Sequence, residues 1–269
     1  MIVAVDIGGT KTLIALFSDE GEIIKSTKLA TLHHQEAFLE ALTARIAEDY
    51  MQPEVHAICV AAAGTIDHNG IGLRFGNLPW KNIDFKAALA HHNVPVFVGN
   101  DANIGALYEV HSLPQRPRLA VYVAIGTGIG TGIVVDGHPY GPLEQSEGGH
   151  MILSWQGELR AWETFASGKA IMRDFNQMAS DITDQAVWKQ ISERIAAGIE
   201  VIIPLLQPDV ILIGGGVGAH FEKFSPYLSE HLTKNLTHMS TPPTIVKCQH
   251  PEEAVVYGCY YYATTKLGL

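Results

Sequence analysis

Thiols are scarce in this 269-residue chain: Cys59, Cys248 and Cys259 are all it has, and no two of them stand in a C-x-x-C spacing. That excludes a disulfide-stapled scaffold and a cysteine-rich metal centre, and it fits a reducing compartment in which each thiol is a small buried hydrophobe. Basic charge is scarce too. Against 28 acidic residues stand 18 Lys and Arg, a formal charge of −10 with no basic run. Phosphate backbones are held by clustered Lys and Arg, so no nucleic-acid partner is expected. No apolar run reaches the length of a membrane span and no basic segment precedes the first apolar stretch, so the reading is cytoplasmic, with no membrane partner. The absence of G-x-x-x-x-G-K-[ST] excludes a P-loop ATPase of the Walker type.

What the chain does have is a folded composition, 47% hydrophobic and 17% charged, in a length that suits one large domain or two smaller ones. Strands and helices alternate, which points to an α/β class. Strands are predicted at Ile2 to Val5, Leu13 to Phe17, Glu22 to Ser26, His56 to Ala63, Val94 to Val98, Leu119 to Ala124, Ile133 to Val135 and Val210 to Ile213. Helices are predicted at about His34 to Tyr50, Ile83 to Ala90, Ala102 to Val110, Ala170 to Met178, Val187 to Leu206 and Glu252 to Leu267, with a loop at Gly76 to Trp80. The Leu-Pro-Gln-Arg-Pro run, with Pro114 to Pro117, is the best linker candidate. Domains are accordingly expected at 1–112, joined by the last helix at about 252–269, and at 113–251.

Three glycine-rich turns follow short apolar strands: Gly8-Gly9-Thr10-Lys11 after Asp6, Gly126-Thr127-Gly128, and Gly214-Gly215-Gly216. Backbone amides in such turns, with the Thr10 hydroxyl, can receive phosphate oxygens, and ligands of open α/β folds gather at the carboxyl ends of strands. Asp6 cannot hold phosphate but can hold Mg²⁺, through water. Alone, the first turn reads first as a plain hairpin with a Gly-Gly turn. The second repeats the strand, glycine turn, strand plan of the first, as an internal duplication would. Gly214, Gly216 and Ala219 match the G-x-G-x-x-A dinucleotide fingerprint, but Thr237, His238 and Met239 stand where its ribose-binding acid belongs.

With Asn100-Asp101, Glu147-Gly148-Gly149-His150 and Glu163 added to these turns, the chain resembles the ROK family of sugar kinases and repressors in order and spacing from end to end. The resemblance implies a two-domain actin-like ATPase fold, a repeated ribonuclease H-like sheet with nucleotide and sugar in the cleft between domains. It implies an ATP- and Mg²⁺-dependent hexose kinase, glucokinase-like, acting on a 6-hydroxyl; fructose, mannose, N-acetylmannosamine and N-acetylglucosamine are the alternative acceptors, polyphosphate an alternative donor, and a non-catalytic sugar or nucleotide sensor the alternative class. Carried over by motif, Asp101 is the catalytic base, and Asn77, Asn100, Glu147, His150 and Glu163 join it as sugar ligands. Gly8, Gly9, Thr10, Lys11, Thr127 and Gly128 lie along the donor phosphates, and Gly214, Gly215 and Gly216 against the adenosine. Taken singly, Asp101 reads first as a helix cap, Glu147 and Glu163 as solvated charges and His150 as a satisfied loop histidine. A homodimer is a partner the resemblance allows.

The chain departs from the family in one place. Most of its kinases carry a C-x-C-G-x-x-G-C-x-E zinc motif after the Gly-His pair. Aligned back from Glu163, Ser154, Gln156 and Ala161 replace the cysteines, and only Gly157 keeps its place. Ser and Ala are not zinc ligands and His150 alone makes no tetrahedral site, so zinc is not expected. Trp155 and Trp162 are expected to order this segment by apolar packing instead. The phosphate turn begins at Asp6, which leaves no room before it for the repressors' helix-turn-helix and fits the kinase branch.

Overall fold

The apolar run that opens the chain forms β1 (Ile2–Ile7), antiparallel to β2 (Lys11–Phe17), and β3 (Ile23–Ala30) adds antiparallel to β2. This is a computed structural model, and it describes residues 1–76, 78–236, 242–249 and 253–269. Asn77 and the stretch Thr237 to Met239 therefore lie outside the described residues. After α1 (Gln35–Asp49), β4 (Ala57–Ala62) pairs parallel with β1 and is buried at every position, as a central parallel strand covered on both faces must be. Next comes a small antiparallel sheet of β5 (Thr65–Ile66), β6 (Ile71–Phe75) and β7 (Leu78–Asp84). Here the structure departs from the predicted loop at Gly76 to Trp80. Pro79 faces solvent while Trp80 is buried against Phe38 and Phe75, its Nε1 donating to the His33 carbonyl at 3.0 Å, so an indole anchor makes a strand where proline and glycine signal a turn.

Helix α2 (Phe85–Leu89) starts two residues later than predicted because the Asp84 side chain caps it, accepting from the Ala87 amide at 2.9 Å. β8 (Val96–Asn100) then pairs parallel with β4, and α3 (Asp101–His111) follows directly. The first sheet has the order β3-β2-β1-β4-β8. Alternate residues of β1 feed two cores. Val3, Val5 and Ile7 pack with Phe38 and Leu42 of α1, whereas Ile2 and Ala4 pack with Val256 and Cys259 of the C-terminal helix (Ala254–Leu267).

The second sheet repeats the plan. β9 (Leu119–Ile125), β10 (Ile129–Val135) and β11 (His138–Pro139) form an antiparallel meander, and β14 (Val210–Gly214) and β15 (Thr244–Lys247) extend it in parallel from β9, in the order β11-β10-β9-β14-β15. Between β11 and β14 come the hairpin β12 (Ile152–Trp155) and β13 (Glu158–Ala161), then α4 (Glu163–Ala166), α5 (Gly168–Phe175) and α6 (Gln185–Leu206). β14 leads into α7 (Gly215–Gly218) and α8 (Phe221–Asn235). Two units result: Met1–Tyr108 with Gly141–Gln145 and Glu253–Leu269, and Glu109–Tyr140 with Ser146–Glu252. Among the described residues no helix is long and apolar enough to cross a membrane.

Candidate active site

In the first unit two carboxylates gather at the carboxyl ends of the parallel strands. Asp6 stands opposite Leu13 on β2 and Ala61 on β4, and Asn100, the last residue of β8, stands opposite Ala62. β1 and β8 are thus two strand spacings apart, about 10 Å between backbones, with only small alanines between them. Asn100 caps α3: its Oδ1 accepts from the Asn103 amide at 3.1 Å and its Nδ2 donates to the Gly64 carbonyl at 2.9 Å. The helix-cap role read for Asp101 therefore falls to its neighbour Asn100. Asp101 becomes the first helical residue, with Oδ1 accepting from the Ala102 amide at 2.8 Å.

Desolvation raises the proton affinity of both acids. It pushes the Asp101 carboxyl above the usual carboxylate range, although amide hydrogen bonds pull the other way. Burial, reinforced by the nearby Asp101 charge, raises Asp6 to about 7. Two neighbouring acids whose carboxyls both lie above the usual carboxylate range suit a divalent cation, whose charge relieves both the desolvation and the mutual repulsion. Among the described residues no three His, Cys, Asp or Glu side chains converge as a metal cluster, so an ion here would keep several waters, as Mg²⁺ does.

The first glycine turn is closed by the Gly8 amide on the Lys11 carbonyl at 3.0 Å. A Cβ on Gly8 would stand 3.0 Å from that same carbonyl, so glycine is needed there for closeness, not for a left-handed backbone. Thr31 holds the turn from behind. Its amide donates to the Thr10 carbonyl at 3.0 Å and its hydroxyl to the Gly8 carbonyl at 2.8 Å, with Thr12 Oγ1 2.9 Å away. No motif marked Thr31. Lys11 and Thr10 are exposed at the tip.

In the second unit the predicted residues collect around the turn between β9 and β10. Glu163, first residue of α4, places Oε2 3.3 Å from the Ile129 amide, and a Cβ on Gly128 would collide with that same oxygen at 2.6 Å. The two glycines of Glu147-Gly148-Gly149-His150 let this segment lie against β10. Gly148 donates to Thr131 Oγ1 at 2.8 Å, and a Cβ on Gly149 would stand 2.0 Å from the Ile129 carbonyl oxygen. Glu147 is half-buried, while His150 and Thr127 are exposed. Gly214 to Gly216 divide by role. A Cβ on Gly214 would meet the Tyr122 ring, and Gly215, at φ +78°, abuts the Ile125 backbone; beside Gly216, as beside Gly126, there is open space within 4 Å. Those two positions can take close approach of a nucleotide.

The segment that replaces the zinc motif is the β12–β13 hairpin. Its turn is Gln156-Gly157, both at positive φ, 52° and 83°, the two-residue geometry that twists with the strands. Trp155 stacks on Phe165 with ring centres 4.7 Å apart and planes 5° from parallel. Trp162 is fully buried over Gly198 and donates Nε1 to the Arg194 carbonyl at 3.0 Å. These contacts place Glu163, the next residue, by apolar packing.

Comparison with known proteins agrees with this frame. The chain is 25% identical over 263 residues to a glucokinase of Streptomyces coelicolor, covering 81% of this chain and 82% of that one. It is 27% identical over 233 residues to a fructokinase of Lactococcus lactis subsp. cremoris, covering 80% and 78%. Its fold matches the crystal structure of a ROK family glucokinase from Streptomyces griseus in complex with glucose and AMPPNP, with a TM-score of 0.81 at 22% identity over 97% of this chain and 98% of that one. The duplicated sheet is that of the actin-like ATPases. The ROK family model spans residues 2–266, nearly every position from the first strand to the last helix, and the chain belongs to the ROK family.

Proposed function

We propose that this protein is an ATP- and Mg²⁺-dependent sugar kinase that transfers the γ-phosphate to the 6-hydroxyl of a hexose, glucose first among the candidates. The observation that carries this reading is Asp101. Relieved of capping by Asn100, it keeps a carboxylate beside Asp6 at the strand ends, in surroundings that raise its proton affinity. Phosphoryl transfer passes through a largely dissociative transition state, so the base has little to do early. Asp101 orients the attacking hydroxyl by accepting its hydrogen bond and takes the proton as the bond to phosphorus forms.

Glu147, His150 and Glu163 supply acceptors and donors for the remaining hydroxyls, and Asn77 is assigned with them by motif alone. Asn100 spends its Oδ1 and one Nδ2 hydrogen on the protein and has one Nδ2 hydrogen left for the sugar. A sugar of the wrong configuration would leave such groups unpaired, which is how the site would tell epimers apart. Gly8, Gly9, Thr10, Lys11, Thr127 and Gly128 receive the donor's phosphates, and Gly214 to Gly216 approach its nucleoside. Mg²⁺, held by Asp6 through water, would neutralise charge on the transferred group.

The relatives named above are a glucokinase and a fructokinase, so the acceptor is tested over a panel. Turnover with Mg-ATP, and separately with polyphosphate, is measured on glucose, fructose, mannose, N-acetylmannosamine and N-acetylglucosamine. Strong turnover on one hexose is expected. Binding of sugar and ATP with turnover on none, from either donor, would replace the kinase with a sensor of the same fold.

A further inference from the structure

Strand β10 is only partly covered on its outer edge. β11 pairs with its last two residues, Val134 and Val135, and among the described residues Ile129 to Gly132 have no strand partner on that side. The sugar ligands proposed for this unit are held from that uncovered stretch. Glu163 Oε2 faces the Ile129 amide at 3.3 Å, and Gly149 lies directly against the Ile129 carbonyl. The Glu147 carbonyl accepts from the His150 amide at 3.0 Å, closing a single 3₁₀ turn with two of the candidate ligands at its ends. Whatever fixes this turn on β10 therefore fixes the backbone from which both side chains start.

The fixing group is Thr131, buried, and two positions along the strand from Ile129. Its hydroxyl accepts from the Gly148 amide at 2.8 Å and donates to the Ser146 carbonyl at 3.5 Å. One buried hydroxyl thus holds the residue before Glu147 and the residue after it, using its donor and one of its acceptor sites. The hold depends on closeness. A Cβ on Gly148 would stand 2.6 Å from Thr131 Cγ2 and 2.8 Å from its Oγ1, so glycine is what lets the turn come so near.

We propose that Thr131 is a positioning residue that sets sugar specificity: by clamping the backbone on both sides of Glu147, it fixes where the Glu147 carboxylate and the His150 imidazole can meet a hydroxyl. The inference rests on the sugar-binding roles proposed above for those two residues. Telling epimers apart needs ligands held to within about 0.5 Å, and a loop carboxylate reaches that precision only when its backbone is tied to a rigid element such as β10. A methyl group in place of the hydroxyl needs about 3.5 Å or more to its neighbours, so valine, although the same shape as threonine, would push the turn off the strand. The glycines proposed for the nucleotide pack on other groups, Gly214 on Tyr122 and Gly215 on Ile125, so nucleotide binding is expected to be spared.

The test is titration calorimetry on wild type, Thr131→Val and Thr131→Ser. Glucose, fructose, mannose, N-acetylmannosamine and N-acetylglucosamine are the probes, with Mg²⁺ and a non-hydrolysable ATP analogue in a separate arm. Thr131→Val is expected to weaken the sugar that wild type binds most tightly by about tenfold or more and to narrow its preference over the others, with nucleotide affinity within about twofold of wild type. Thr131→Ser, which keeps the hydroxyl, is expected to stay within about threefold of wild type in every arm. Thr131→Ala removes the clamp without inserting a methyl group and gives the same reading should valine unsettle the fold. Sugar affinities unchanged in both hydroxyl-free variants, or sugar and nucleotide affinities lost together in a variant with a native circular dichroism spectrum, would overturn the inference and leave the kinase reading standing. A wild type that binds none of the five sugars would overturn both.

Discussion

In the first unit the penultimate residue of β1 is Asp6, opposite Ala61 of β4; in the second the penultimate residue of β9 is Ala124, opposite Gly214 of β14. The two sheets share strand order and direction, yet carboxylates crown one and glycines the other. Strand β8 ends in Asn100 and hands on to Asp101, whereas β14 ends in Gly214 and hands on to two further glycines. The duplicated backbone thus supplies a glycine turn twice, and carboxylates stand at the ends of the parallel strands in one copy only. In the second copy the acid comes from outside the sheet, as Glu163 against the Ile129 amide. Under the proposed function this contrast sets the base and the metal at the acidic strand ends of the first unit and the nucleoside against Gly214 to Gly216 of the second.

The strongest way to break that division is Asp101→Asn. Asparagine keeps an oxygen for the Ala102 amide, so the fold should survive, while turnover falls about a thousandfold with KM for ATP little changed. Trp162→Ala attacks the packing beside Glu163 in the second unit. It removes a fully buried indole and its hydrogen bond to Arg194, and should cost about 3–5 kcal/mol in denaturant unfolding.

Asp6→Asn sharpens the acidic end through pH. Because the folded state raises Asp6 to about 7, it binds the proton more tightly than the unfolded chain does, and wild type loses stability as pH rises from the unfolded carboxylate range through about 7. The variant does not titrate there. Without added metal it should match wild type in acid and exceed it above pH 7, by at most about 4 kcal/mol. Mg²⁺ should raise the melting temperature of wild type more at pH 8 than at pH 6, and that of the variant equally at both.

The smallest effects separate neighbouring glycines. Gly215→Ala forces a side chain into the Ile125 backbone at positive φ and should cost about 1–3 kcal/mol of stability. Gly216→Ala meets open space, so melting is unchanged and only KM for ATP rises, several-fold. Equal melting losses in the two would show that Gly216 is a packing glycine like its neighbour.

Much of this was legible in the residues because it rests on strong local signals. Strand, glycine turn, strand occurs twice, Asp6 and Asp101 stand at strand ends, and the ROK resemblance covers the chain. Elsewhere local signals mislead. Leu78 to Trp80 reads as loop through Pro79, and only the pocket between Phe38 and Phe75 makes it a strand. Gln156-Gly157 lacks the Asn or Asp that marks a tight hairpin turn, so β12 and β13 were silent. Helix α8 holds Pro226 near its start, and β15 is a short, partly exposed edge, so neither stood out. Thr31 supports the first glycine turn from a strand end distant in sequence, and no pattern in one sequence announces a contact of that kind.

The most direct test is a side-by-side steady-state measurement of wild type, Asp101→Asn and Gly216→Ala on the best sugar of the panel, varying Mg-ATP. The account predicts a split: Asp101→Asn loses kcat and keeps KM for ATP, and Gly216→Ala keeps kcat and raises that KM. A kcat retained in Asp101→Asn, or lost equally in both variants, would contradict the assignment of reaction to the acidic end and nucleotide to the glycine end.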